Sequence, residues 1–262
     1  MPDLDEDALL NAFHHLHRDL PRQGPGSDAT TRHLLAMAGP LPHRPRVLDV
    51  GCGPGRSSLV LAAVAEADVI AIDTHQPFLD QLRKAAARQN LTDRIHVVNV
   101  SMADLPYPDQ TFDMIWAEGS IYHIGFDHAL RIWRRLLTPG GALIVTECEW
   151  TTPDPAAELR AYWEQIYSLR TGTENTAAAR AAGYDVVGTF RLPDNDWFDE
   201  YYEPLESRIS HADLSIAGMN HAVAGIRQEI DMRRAYSSDY AYTGYILRPS
   251  AFHHVPPLEA KG

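Results

Sequence analysis

The chain has 262 residues, 45% of them hydrophobic, and a formal net charge of −12. That length suits one α/β domain with a large core, and the acidity disfavours DNA or long RNA as partners, because phosphate backbones are gripped by basic patches. Cys52 and Cys148, the two cysteines, exclude a disulfide framework and lack metal spacing; with no signal-peptide pattern and no membrane-length apolar run, a soluble cytoplasmic protein in a reducing compartment is expected.

Residues 4–20 predict a helix, since Leu9, Leu10, Phe13, Leu16 and Leu20 fall near one face. His14, His15 and His17 lie on it, but their spacing gathers no three side chains, and no metal is expected. Residues 21–27, Pro-Arg-Gln-Gly-Pro-Gly-Ser, form a loop rich in breakers. Lying just ahead of the first strand, it is placed to fold over a ligand as a lid. Gln23 can donate to a carboxylate, and Ser27 can cap the next helix or reach the ligand. The glycines and prolines give the loop little structure of its own, so it should order only with ligand bound. A second helix starts at Asp28, Thr30 or Thr31 and runs to Ala38.

Residues 47–55 read Val-Leu-Asp-Val-Gly-Cys-Gly-Pro-Gly. An apolar strand runs into glycines at alternate positions, and an apolar helix follows from Leu59 to Ala65, with Ser57 and Ser58 suited to cap it. Such glycines let backbone pass close to a ligand with positive φ, ahead of a helix N-terminus. A dinucleotide fingerprint would need a third glycine where Arg56 stands. Asp73 closes the next apolar run, 69–72, where a carboxylate binds the two hydroxyls of a ribose. Asp49 in the first strand could help hold a cationic end. The pattern asks for an adenosine ligand with little need of pyrophosphate, and S-adenosylmethionine meets it.

A helix is predicted over 77–89 and a strand over 95–100, followed by Ser101 and Met102 beside the ligand edge. A strand over 111–116 leads to Ala117 and Glu118, then to Tyr122 and His123. Asp127 should cap a helix over 128–137, closed by Thr138-Pro139-Gly140-Gly141. The strand 142–145 ends near Glu147. Helices follow at 156–169 and 173–182, a strand at 183–190, a long helix at 206–236 and a last strand at 240–247.

In this order the chain resembles the class I S-adenosylmethionine-dependent methyltransferases, and within them the small bacterial methyltransferases of mostly unassigned substrate. The marks are Gln23-Gly24-Pro25-Gly26-Ser27, the glycine motif, Ser101-Met102 with Leu105-Pro106, the run from Trp116 to Phe126, Gly183-Tyr184, and the last strand around Tyr242 to Ile246. The resemblance implies a Rossmann-like doubly wound α/β sheet of seven strands, order 3-2-1-4-5-7-6, the last-inserted strand antiparallel. It implies one domain: helices and a cofactor lid over 1–45, a cofactor-binding core over 46–150, substrate-side helices and final strands over 151–262. Asp49, Gly51 and Gly53, with Cys52 between, would line the methionine part of the cofactor. Asp73, with Thr74 beside it, would hold the ribose, and Ser101 and Met102 would border adenine. Ala117 or Glu118 would offer its carbonyl to the amino group. Many members carry an Asp where this chain has Ser101, so a side-chain bond to the adenine amine is not expected from the match.

Transfer from a sulfonium gains much of its rate from alignment, and a base is needed only if the acceptor must lose a proton. His123 is the first candidate base, since imidazole titrates near neutrality, with Glu147 and Glu118 next and Tyr122 to orient substrate or exchange roles with His123. Trp150, Trp163, Trp197 and Tyr201, with Tyr162 and Tyr202, suggest a closed pocket for a small planar substrate, or for an amine given the acids nearby. The rivals are a nicotinamide oxidoreductase, which Arg56 opposes, and a non-catalytic S-adenosylmethionine-binding protein. No nucleic-acid or membrane partner is expected, and a homodimer is left open.

Overall fold

The computed structural model describes residues 5–250, so Leu4, at the head of the first predicted helix, lies outside the described residues. The sheet contains β1 (Arg46–Val50), β2 (Asp68–Asp73), β3 (Ile95–Asn99), β4 (Phe112–Glu118), β5 (Leu137–Trp150), β6 (Arg170–Thr171), β7 (Tyr184–Arg191) and β8 (Tyr240–Pro249). Their order is β3-β2-β1-β4-β5-β8-β7, with β6 pairing the end of β5. Neighbours from β3 to β5 are parallel, and β8 runs antiparallel between β5 and β7. Setting aside the two-residue β6, this is the expected seven-stranded order.

The central strands are apolar on both faces because helices cover both. One face carries Val47, Met114, Trp116 and Ile144 against α2 (Asp28–Met37), α3 (Arg56–Val64) and α4 (Gln76–Arg88). The alternate residues, Leu48, Ile115, Leu143 and Val145, pack against α5 (Phe126–Trp133) and α7 (Gly172–Ala181). A third cluster forms around the end of β5, from α1 (Glu6–His17), α6 (Ala157–Glu164), α8 (Asp194–Trp197), α9 (Glu203–Ser210) and α10 (Met219–Ala235).

Several local expectations change. The N-cap of α3 is Gly55, at φ 84°, because Ser57 and Ser58 turn their hydroxyls to Asp49. Gly125, not Asp127, precedes α5, and Asp127 instead pairs with Arg170 at 2.9 Å. That helix ends at Trp133 in a tight turn, and residues 137–141 join β5 instead of closing the helix. The predicted helix over 206–236 breaks into α9 and α10. Gly218, at φ 78°, starts α10 where a Cβ would stand 2.6 Å from the Ala8 carbonyl oxygen, so α1 packs too closely there for a side chain. Among the described residues no helix is long and apolar enough to cross a membrane.

Candidate functional site

At the carboxyl ends of β1, β2 and β4 lies a cavity of about 700 Å³. Its floor is the turn from Gly51 to Gly53. Gly51, at φ 67°, leaves no room for a side chain: a Cβ would stand 2.5 Å from that of Ser120. Ser120 is fixed there by donating to the Val50 carbonyl at 2.6 Å. The Gly53 amide donates to Asp73 Oδ2 at 2.9 Å, and the His75 amide to Oδ1 at 2.8 Å. Asp73 thereby ties the end of β2 to the glycine turn, and it lines the cavity with acceptor capacity beyond these two bonds. Thr74, Ser101 and Met102 continue the wall, and Trp133 holds the Met102 carbonyl at 3.1 Å.

The loop over 21–27 does cover this cavity, but it has structure of its own. Arg22, only 7% exposed, reaches across it to Glu118 at 2.8 Å and to Asp28 at 3.3 Å. The Gly26 amide donates to the Asp196 carbonyl at 3.1 Å. A buried ion pair thus anchors the Arg22 end of the loop, and hydrogen exchange with and without S-adenosylhomocysteine tests the expectation that the loop orders only with ligand. Ser27 caps α2 through the Thr30 amide and does not line the cavity. Gln23 lines it, with its amide nitrogen spent on the His17 carbonyl and its Oε1 buried without a partner. The unpartnered oxygen is an acceptor, which suits an ammonium group.

Glu118 lies in the cavity wall, yet its carboxylate is fully engaged by Arg22, by the Thr31 hydroxyl at 2.7 Å and by the Trp116 indole at 2.9 Å. Ala117 is buried under the wall. Asp49 is 1% exposed and behind the floor, where Ser57 and Ser58 donate to Oδ2 at 2.8 and 2.5 Å. Burial raises its pKa to about 7 despite these hydroxyls. It braces the loop instead of lining the cavity. A carboxyl raised in the folded state gives up stability as pH rises from the ordinary carboxylate range through about 7. Asp49→Asn should therefore gain in melting temperature relative to the parent between pH 5 and pH 8. A gap independent of pH in thermal melts would show that Asp49 is charged throughout.

At the far end, Tyr122 and His123 sit on a short turn, Ile121–His123, and both line the cavity. Their rings lie 4.1 Å apart. Desolvation holds the His123 pKa below its ordinary value, with Asp73 pulling the other way. Glu147 is 3% exposed and not in the cavity wall. Burial raises its pKa to about 7, while the Tyr167 hydroxyl, hydrogen-bonded to it, opposes the shift.

Trp150, Trp163, Trp197 and Tyr201 do not line this cavity but pack in the third cluster. Trp197 is 2% exposed and stacks under the Arg233 guanidinium at 4.1 Å, and Tyr201 bonds the His17 ring at 3.2 Å. Among the cavity residues that sequence reasoning missed are Phe13 and His14 of α1, with His75 and Phe78 at the head of α4. The His14 and His75 rings meet at 3.9 Å. The position of His75, two residues beyond Asp73, was the available signal.

Residues 47–141 match the family model described as a methyltransferase domain. The chain is 32% identical over 148 residues to the 27-O-demethylrifamycin SV methyltransferase of Amycolatopsis mediterranei, covering 55% of this chain and 54% of that one. It thus spans about half the length of that relative. Among solved structures, a S-adenosylmethionine-dependent methyltransferase from Geobacter sulfurreducens in complex with S-adenosylhomocysteine superposes with a TM-score of 0.77 at 20% identity, covering 91% of this chain and 98% of that one. The cyclase SpnF superposes at 0.74 with 24% identity, covering 93% and 94%.

Proposed function

From a class I methyltransferase sheet carrying a methyltransferase domain over residues 47–141, we propose that this chain binds S-adenosylmethionine in the glycine-loop cavity and methylates a small molecule. The observation that carries the reading is the Asp73 carboxylate, bound to the Gly53 amide and lining the cavity with lone pairs to spare. The residues fit this ligand. Asp73 takes ribose hydroxyls; Gly51, Cys52 and Gly53 let the methionine part pass close to backbone; Gln23 Oε1 accepts from its ammonium; Ser101 and Met102 border adenine. When bound, the cofactor supplies a methyl group on a positively charged sulfur that departs as a neutral thioether. Tyr122 and His123 stand at the cavity end where an acceptor can enter, Tyr122 to orient it and His123 to take a proton.

Asp73→Ala should weaken S-adenosylhomocysteine by about 1.5–3 kcal/mol, the scale of hydrogen bonds to a charged group. Calorimetry with unchanged affinity would remove Asp73 from the site. Because the same fold is carried by a cyclase, the decisive test reads product and not binding. Metabolite extracts incubated with methyl-labelled cofactor should yield a labelled compound identifiable by mass. Tight binding with no labelled product from any extract would favour a non-catalytic binding protein or another chemistry.

A further inference from the structure

Eight large hydrophobic side chains are exposed among the described residues, and three of them, Leu10, Phe13 and Tyr122, line the glycine-loop cavity. Their exposures are 53%, 37% and 39%. A single exposed leucine is ordinary, but a group bordering one cavity marks a surface that a ligand covers. Leu10, Phe13 and His14 stand at i, i+3 and i+4 of α1, so one face of that helix is turned to the cavity. Both apolar borders are tied to the glycine floor. Phe13 stacks on His17 at 3.8 Å, and the His17 carbonyl accepts from the Gln23 amide at 3.1 Å. The Gln23 side chain in turn lies 3.5 Å from where a Cβ on Gly53 would stand. On the other side, Tyr122 follows two residues after Ser120, which stands against Gly51. The apolar borders therefore lie beside the glycine turn, where the methionine part of the cofactor would pass.

A second observation concerns charge. The residues of the wall that carry a full charge are Arg22, Arg56, Asp73 and Glu118. Arg22 pairs with Glu118 at 2.8 Å and with Asp28 at 3.3 Å, and Arg56 pairs with Asp28 at 2.6 Å. Asp73 takes the Gly53 and His75 amides, and its spare capacity goes to ribose hydroxyls in the reading above. His14, His75 and His123 complete the wall, and desolvation holds all three below the ordinary histidine pKa, which favours neutral rings. No charge in the wall is left to balance an ionic acceptor, and burying an unbalanced ion is costly.

We propose that the acceptor is an uncharged phenol, its ring system lying against Leu10, Phe13 and Tyr122 and its hydroxyl at His123. The proposal rests on the methyltransferase reading. The apolar borders fit the ring system, and Phe13 and Tyr122 offer it aromatic partners. The imidazole fits the hydroxyl: a phenol ionises at about 10, as tyrosine does, whereas an aliphatic alcohol holds its proton far more tightly. The acceptor oxygen gives its proton to His123 and takes the methyl group. The O–H and S–CH3 bonds break, an O–CH3 bond forms, and the S–C electron pair stays on sulfur as a neutral thioether.

The test titrates 2-naphthol, 2-naphthoate, (2-naphthyl)methylammonium and naphthalene into the full chain, with and without saturating S-adenosylhomocysteine. That ligand lacks the sulfonium charge, so the comparison reads the protein's own preference. 2-Naphthol should bind about tenfold or more tighter than either ion. It should also bind tighter than naphthalene, and His123→Ala should remove that advantage. Leu10→Ser, at an exposed position, should cost 2-naphthol about threefold or more while leaving S-adenosylhomocysteine affinity unchanged. If Leu10→Ser fails to fold, Phe13→Ser carries the same expectation for 2-naphthol. Either ion binding as tightly as 2-naphthol overturns the uncharged acceptor. Failure of 2-naphthol to bind, binding no tighter than naphthalene, or binding unmoved by a folded serine variant overturns the phenol site. S-adenosylhomocysteine titrated alone reports separately on the methyltransferase reading: its failure to bind sinks that reading, while 2-naphthol without cofactor still reads the apolar border.

Discussion

Arg22→Ala should cost about 3–5 kcal/mol of stability, the penalty for leaving a buried carboxylate without its partner. For a chain of this size that is a fall of roughly 6–20 °C in melting temperature. Arg22 and Glu118 are 7% and 10% exposed and meet at 2.8 Å. Glu118 also takes the Thr31 hydroxyl and the Trp116 indole, so its charge is fixed in place and cannot turn to water. The pair joins the loop over 21–27 to the end of β4, and both residues line the cavity. Cofactor affinity should fall together with stability. Pairing Arg22→Met with Glu118→Gln removes both charges, so the double variant should recover much of the melting temperature. If Arg22→Ala melts like a surface substitution, the loop is not anchored by this ion pair.

The sheet was legible because its signals are local. Val47, Leu48 and Val50 are 0% exposed, as a strand buried on both faces demands, and the glycine turn follows within five residues. Asp73 was legible for the same reason, one strand further on. Partners distant in sequence were not. Arg22 and Glu118 are 96 residues apart, and nothing in either segment names the other. Ser57 and Ser58 look like caps until β1 brings Asp49 within reach of both hydroxyls. The tryptophans were legible as buried but not as to what they bury against. Trp197 lies under Arg233, whose guanidinium also donates to Asp194 at 2.6 Å, and a core aromatic and a pocket aromatic read alike along the chain. The need for glycine at position 218 was hidden too, since it is the Ala8 backbone of α1 that leaves no room for a side chain there.

His123→Asn should lower turnover by about 10²–10⁴-fold, the range of general acid–base catalysis, while leaving S-adenosylhomocysteine affinity where it was. The ring lines the cavity beside Tyr122, and its backbone amide is pinned to the Ser120 carbonyl at 3.2 Å. Ser120 in turn is bonded to the end of β1, so His123 is set at a fixed distance along the chain from the glycine floor. Desolvation lowers its pKa, so at neutral pH the imidazole is in the form that accepts a proton. Turnover should therefore rise through a pH below the ordinary histidine value and stay flat above it. Glu147 makes the competing case: with a pKa raised to about 7 it would place the rise near neutrality. The two variants separate these bases. If His123→Asn abolishes the acidic limb and Glu147→Gln leaves it in place, the proton goes to the imidazole. If Glu147→Gln removes a limb near pH 7 and His123→Asn turns over normally, the carboxyl is the base. Normal turnover by both variants across the pH range would mean that holding acceptor and methyl group in line carries the reaction without a base.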